Sequence, residues 1–308
     1  MSSFSATSDV FQLRPYTKEE AASLQAIWAA SQDEDDPAMR PRDGWWSIVE
    51  WATASRALVE RDVLIGLVAI HHDPVTGIAE ARLALLPAYR QPGHADQLVQ
   101  AATDLARQSG ALSLRLFLPT SAGWAASPAL LQGFQPYRTV HVMLRPEPLP
   151  VAPVAGIEGI TIRPLLEHEE GTLLSTLNRA WADTWNARPI SAETLARDLR
   201  GQREGMLVAL ETAEQGRIVA TCHAVFEPTG QNPDGHPLAW ISNLTTDPDW
   251  RGRGLGRAML TAGLNHLCSR GAHSVALEVD GEAAAPVALY QSMGFETIST
   301  SALWTQPT

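Results

Sequence analysis

The sequence predicts an α/β chain built as two tandem copies of one domain, and three observations carry that expectation. Alternating β-rich runs such as Val63 to His71, Ile78 to Leu86 and Val275 to Val279 are interleaved with amphipathic helical runs such as Leu255 to Leu267. Residues also recur at one constant offset of 161 positions, so that Pro87 falls on Pro248, Tyr89 on Trp250, Arg90 on Arg251, Gly93 on Gly254 and Ala95 on Gly256. Further on, the same offset places Gly110-Ala111 on Gly271-Ala272 and Gly133-Phe134 on Gly294-Phe295. Agreement at a fixed spacing over that distance marks an internal duplication. Between the copies, Arg145 to Pro153 carries proline at every second or third position, which favours an extended linker over a helix. The expected division is a domain over 1–147, a linker over 148–156 and a second domain over 157–308.

Length and charge set the outer limits. At 308 residues the chain suits two domains of roughly 150, each able to bury its own core. No apolar run approaches the roughly 18 residues of a membrane span, and the start MSSFSATSDV has neither a basic nor an apolar segment, so a soluble cytoplasmic protein is expected. Cys222 and Cys268 are too few for a disulfide framework and read as small buried residues. No metal site is expected. The net charge of −11 argues against nucleic acid as a partner, which would need a basic face. Within that acidic background Arg251, Arg253 and Arg257 form a local positive island suited to a small polyanion.

In chain order, Phe11 to Arg14 reads as a short strand ended by Pro15. Thr17 to Ala30 reads as a helix opened by a Thr17/Glu20 capping box. The acidic, proline-containing stretch from Gln32 to Gly44 reads as a solvated loop, and Trp45, Ile48 and Trp51 have the helical spacing of packed residues. Val63 to His71 and Ile78 to Leu86 form a hairpin around Asp73-Pro74 and Thr76-Gly77. The second copy restarts with a strand from Ile160 and a helix over Glu167 to Trp185, and Ser191 caps a further helix. Met206 to Glu211 and Arg217 to Phe226 form a second hairpin. After Gly271, Val275 to Val279 reads as a strand, Ala283 to Ser292 as a helix, and Glu296 to Trp304 as the last strand.

The organising stretch is Trp240 to Leu260. Its strand-like start is stopped by Asp247-Pro248-Asp249, and Arg251-Gly252-Arg253-Gly254-Leu255-Gly256 follows directly before a helix. Alternate glycines free several backbone N–H groups at once, and the positive end of the helix dipole adds to them. Such a corner is an anion cradle. It is not a dinucleotide fingerprint, because Arg257 stands where the third glycine would fall, nor a P-loop, because Gly-Lys-Ser/Thr is absent.

The Arg-x-x-Gly-x-Gly corner, placed after a strand and before a helix, resembles the acetyl-CoA-binding motif of the GNAT N-acetyltransferase family. Leu289-Tyr290-Gln291-Ser292-Met293-Gly294-Phe295 is similar to that family's second signature, and the order of elements agrees over residues 157 to 304. The resemblance implies a mixed, largely antiparallel central sheet flanked by helices. It also implies acetyl-CoA as cofactor and acyl transfer to the amine of a small molecule. Arg251, Gly252, Arg253, Gly254, Leu255, Gly256 and Arg257 would then form the pyrophosphate loop, while main-chain groups of Leu244, Thr245 and Thr246 would pair with the pantetheine arm. Tyr290 would be the general acid. The connection from Asp183 through Trp185 and Asn186 to Pro189 would lie on the acceptor side.

A general base is less defined: Glu227 and Asp183 could each reach an acceptor amine through water, with His223 on the strand before. One departure stands out, since Ala283 and Pro286 occupy places where the family often carries Asn and Ala. The first copy is eroded as a catalyst, because Pro92 removes a loop N–H, Ala95 replaces the last glycine and Ala129 stands in the place of Tyr290. The expectation is a catalytic second copy and a structural or substrate-shaping first copy. A tandem acyl-CoA-binding or sensing module without turnover is the alternative.

Overall fold

The first copy begins with strands short enough to be set by local pattern and long enough to share one sheet. The computed structural model describes residues 11–35, 49–146, 151, 156–185, 187–212, 216–231 and 237–308. Two compact units emerge, and neither is a single stretch of chain. The first comprises Met1–His141, Asp280–Glu282 and Ser299–Thr308; the second comprises Val142–Val279 and Ala283–Ile298.

In the first unit, β1 (Phe11–Arg14), α1 (Ala21–Asp35), α2 (Trp51–Ala54), β2 (Ser55–Glu60), β3 (Val63–Asp73), β4 (Ile78–Leu85), α3 (Pro92–Gln108), β5 (Ser113–Pro119) and α4 (Gly123–Leu131) follow in order. They lead into β6 (Gln135–Pro146). The sheet order is β1-β2-β3-β4-β5-β12, the last strand being β12 (Glu296–Pro307). Neighbours run antiparallel except β4 and β5, which are parallel. An unpaired β5 edge would leave a row of free backbone groups, and the end of the chain covers it, Ser301 opposite Pro119 through Pro307 opposite Ser113. Both faces are buried. Leu98, Ala102 and Leu105 of α3 lie on Ile65, Ile70, Leu85 and Leu116, while Leu24, Ile27 and Trp28 of α1 lie on Ala57, Leu67 and Ala84. Leu85 and Ala84 are adjacent in sequence and belong to opposite faces, as the two-residue period of a strand requires.

The second unit repeats the plan. It contains β7 (Ile160–Pro164), α5 (Glu170–Trp181), α6 (Ala192–Asp198), β8 (Met206–Glu211), β9 (Ile218–Gln231), β10 (Pro237–Thr246), α7 (Leu255–Ser269), β11 (Ser274–Asp280) and α8 (Ala284–Ser292). Its strands run in the order β6-β11-β10-β9-β8-β7. One face carries α5 and α6 on Met206, Val208, Leu210 and Ile218; the other carries α7 on Leu207, Ala209, Cys222, Ile241 and Leu277. Helix α7 lies so close to the sheet that a Cβ on Gly263 would come within 2.5 Å of Cys222 Sγ and 2.9 Å of Ile241 Cδ1. The mixed, mostly antiparallel sheet flanked by helices is therefore present in both copies.

Several elements differ in extent from the pattern reading. The helix expected over Glu167–Trp185 opens as a tight 3-10 turn over Glu167–Glu169 and closes at Trp181. The opening turn is pinned from below: Arg163 forks onto Glu169, and Glu169 Oε2 accepts the Leu166 N–H at 2.9 Å. The first copy has the same device in Arg14, Glu20 and the Thr17 N–H, so the capping carboxylate there is held by an arginine as well. Ser191 caps α6 as expected, accepting from Thr194 N at 3.1 Å. Trp45, Trp46 and most of the proline-rich linker lie outside the described residues. Among the described residues no helix is long and apolar enough to cross a membrane.

Candidate active site

The parallel pair β10/β11 is where the second unit opens. Ala239, Trp240 and Ile241 pair with Val275, Ala276 and Leu277, and pairing stops there although β10 continues to Thr246 and β11 to Asp280. On its other side β10 stays paired with β9, with a register shift between Ser242 and Thr245. Asn243 sits in that irregularity with φ of 46°, a left-handed conformation that asparagine tolerates better than most residues. Thr221 props it, its hydroxyl donating to Asn243 O at 2.6 Å and lying 2.9 Å from Thr245 Oγ1. Beyond the bulge, Leu244 to Thr246 have no β11 partner in the register, while Thr245 and Thr246 stay paired with β9. Nothing in the residue types around Asn243 announces this bulge.

Beyond Thr246 the chain makes the glycine corner. Asp247 is buried and anchors it, accepting from Asp249 N at 3.0 Å and from Arg217 at 2.9 Å, with Arg179 as a further ion-pair partner at 3.3 Å. In sequence Asp247 reads only as a strand stop. Gly252 and Gly254 have φ of 77° and 82°, so both need glycine, and α7 starts directly after Gly254. Among the described residues the backbone N–H groups of Gly254, Leu255 and Gly256 have no acceptor. Two left-handed glycines followed by free amides at a helix start form an anion-binding nest. A Cβ on Gly256 would meet Leu289 Cδ2 at 3.4 Å, an ordinary contact, so this third glycine is not forced by the packing of α8 on α7.

The three arginines of the corner are already engaged. Arg251 forks onto Asp183 at 2.5 and 3.0 Å and donates to Ala180 O and Thr246 O. Arg253 donates to Asp249 O at 3.2 Å and lies 4.5 Å from the centre of the Trp250 ring. Arg257 reaches Ser292 Oγ at 2.6 Å and Met293 Sδ at 3.0 Å, tying α7 to the helix that carries Tyr290. The Arg251 guanidinium holds the Asp183 carboxyl below the usual range, so this carboxylate is a weak proton acceptor as it stands.

Tyr290 lies on α8 and is 8% exposed, packed 6.0 Å from the Phe295 ring. Its hydroxyl has no hydrogen-bond partner among the described residues. Burial, reinforced by the nearby Cys222, pushes its phenol well above the ordinary value, so it holds its proton throughout the physiological range. Burial likewise pushes the Cys222 thiol up to about 12, which makes it inert as a nucleophile. His223 is buried on the opposite face, its Nε2 3.3 Å from Gln202 O, and burial lowers it to about 4. The Glu227 side chain and all of Asn186 lie outside the described residues, and Trp185 is half-buried in the turn after α5.

The same positions in the first unit are arranged differently. Helix α3 starts already at Pro92, no residue from Arg90 to Ala95 is left-handed, and the His94 and Ala95 amides are taken by Gln91 O. The β3/β4 register is unbroken. Arg82, at the place of Asn243, lies 3.7 Å over the Phe117 ring where the β4/β5 pairing ends at Ala81 and Leu116. Trp124 near the start of α4 donates to both carboxylate oxygens of Asp35.

The comparisons with known proteins agree with this geometry. The profile of the acetyltransferase (GNAT) family matches residues 20–126 and again 171–295. A mycothiol acetyltransferase of Saccharomonospora viridis is 30% identical over 255 residues, covering 78% of this chain and 79% of that protein. In fold, the chain is similar to a GCN5-related N-acetyltransferase from Sphaerobacter thermophilus, with a TM-score of 0.80 at 22% identity over 96% of this chain and 95% of that one. It is similar as well to a tandem GNAT protein from the clavulanic acid biosynthesis pathway, with a TM-score of 0.72 at 16% identity over 97% and 98% of the two chains. The chain belongs to the acetyltransferase (GNAT) family, as a tandem-domain, acetyl-CoA-dependent acetyltransferase.

Proposed function

We propose that the second unit transfers an acetyl group from acetyl-CoA to the amine of a small molecule by direct attack, and that the first unit has a non-catalytic role. The observation that carries this reading is the contrast at one offset: free amides at Leu255 and Gly256 against the occupied amides of His94 and Ala95. The amides of the 252–256 corner suit the pyrophosphate, with Arg253 the least constrained of the three arginines. The strand-like groups of Leu244, Thr245 and Thr246 suit the pantetheine amides. Acetyl-CoA, when bound, supplies the acetyl group as an activated thioester.

What remains is proton management. With acetyl-CoA held there, the amine would have to arrive as the free base, and its proton would pass to water or a carboxylate. Tyr290, a buried side chain, holds its proton and would deliver it to the departing sulfur, which suits a phenol raised above its ordinary value. The backbone N–H groups near Leu244 would stabilise the developing oxyanion. Glu227 stays a candidate base on β9. Asp183 is the weaker candidate because of its arginine.

Since relatives carry the name mycothiol acetyltransferase, the amine precursor of mycothiol is the first acceptor to try, alongside a panel of small amines. Product formation is followed by the mass gain of the acceptor. Tyr290→Phe should lower kcat roughly a hundredfold or more while leaving acetyl-CoA affinity little changed. Unchanged kcat in that variant would remove Tyr290 from the mechanism. Tight acetyl-CoA binding with no acetylated amine in the panel would instead favour a binding module.

A further inference from the structure

Arg251 opens the cofactor corner, yet its donors point away from it. Nη1 and Nη2 fork onto the two Asp183 oxygens, Nη2 also reaches Ala180 O at 2.9 Å, and Nε reaches Thr246 O at 3.3 Å. Three segments therefore meet on one guanidinium: the end of β10, the last turn of α5, and the residue two places beyond α5. A planar five-donor fork can satisfy such a set, and little donor capacity is left for another anion.

The first copy supplies an independent comparison. Arg90, at the position of Arg251, pairs with Asp35 at 2.9 Å through each of its terminal nitrogens, donates to Ser31 O at 3.1 Å one turn before the end of α1, and reaches Leu85 O at 3.4 Å. Leu85 stands 161 positions before Thr246, so the strand-end acceptor is the same in both copies. This arginine keeps its partners in a copy whose neighbouring amides are taken internally. Its partners are thus a property of the fold, independent of any ligand.

We propose that Arg251 and Asp183 are positioning residues: a bidentate latch that fixes the chain leaving α5, from Ala182 to Trp185, against the flank of the cofactor loop. This rests on the cofactor reading above. The latch replaces two roles that residue type alone suggests, phosphate ligand for Arg251 and general base for Asp183. It sets one side of the candidate acceptor region and the pyrophosphate corner in a common frame, so loosening either partner disturbs both.

Coenzyme A titrations of the wild type, Asp183→Asn, Arg251→Gln, Arg251→Lys and the Asp183→Asn/Arg251→Gln double variant test the latch. Amide hydrogen exchange is followed in the ligand-free proteins, and thermal melting confirms that each is folded. Each single variant should weaken coenzyme A binding by roughly fivefold, with the double variant no weaker than either, because both substitutions break one coupled unit. Arg251→Lys should behave as Arg251→Gln, since an ammonium cannot span the carboxylate and both carbonyls. Exchange of the hydrogen-bonded amides over 182–185 should quicken in all variants.

A phosphate-ligand role gives the opposite pattern. Arg251→Gln then weakens binding by about tenfold or more, Arg251→Lys restores much of it, and Asp183→Asn binds as tightly as the wild type or more so. That result overturns the latch. If the wild type binds no coenzyme A, the cofactor reading falls and the exchange data decide alone: equal, non-additive quickening in the two single variants supports the latch, and unchanged exchange in Asp183→Asn overturns it.

Discussion

His223 shows how burial alone can set a titration. It lies between Met206 and Ser242 in the β8-β9-β10 register, with one hydrogen-bond partner, Gln202 O, and burial outweighs that bond. Its folded-state value of about 4 lies below the ordinary histidine value, so between the two the unfolded chain binds the proton more tightly. Stability from this group is complete above the ordinary value and is lost as pH falls through the window toward 4, by about 3 kcal/mol at most. Urea unfolding at a series of pH values should show that slope, and His223→Gln should flatten it. An equal slope in the variant would assign the acid sensitivity to other groups. Tyr290 is the opposite case at the same scale, since its burial secures the protonated state that an acid needs.

Among the elements, α7 joins fold to site: its start carries the free amides and its middle lies on the sheet over Cys222 and Ile241. Gly263 permits that contact. A Gly263→Ala substitution puts a methyl group against buried Sγ and Cδ1 atoms, and should cost roughly 1–3 kcal/mol in spite of alanine's better helix propensity. Chemical denaturation measures it, and a neutral or stabilising result would mean that α7 can shift freely on the sheet. The elements carrying the motifs were readable in the sequence: β10, α7, β11 and α8 each follow a clear period or a glycine stop. Strand β2 was not, because its hairpin turns on Arg61 and Asp62, both left-handed with φ of 48° and 66°, where Asn-Gly would have signalled the turn. The Asn243 bulge escaped for the same reason, a local conformation set by tertiary partners rather than by residue type. The arginine clips of Arg163 and Arg251 escaped as well, since each depends on a carboxylate that only the fold brings near.

At the scale of the whole molecule, duplication explains both what is shared and what is lost. Both copies keep the strand order, the arginine-carboxylate clips and the glycine-phenylalanine stop after the last helix. The first unit is completed by Ser299–Thr308, distant in sequence, and the second begins at Val142, ahead of the linker expected over 148–156. The copies diverge at the glycine corner, where the first has no left-handed glycine, has its His94 and Ala95 amides taken by Gln91 O, and has a stacked Arg82/Phe117 pair where the β4/β5 pairing ends. The central claim is therefore that one copy binds acetyl-CoA and the other does not. Calorimetric titration of the intact chain with acetyl-CoA tests it most directly, run beside Gly254→Ala, which cannot adopt the φ of 82° without strain of roughly 1–2 kcal/mol. One site per chain, weakened or abolished in the Gly254 variant, is the predicted result; two equivalent sites, or a site indifferent to Gly254, would contradict it.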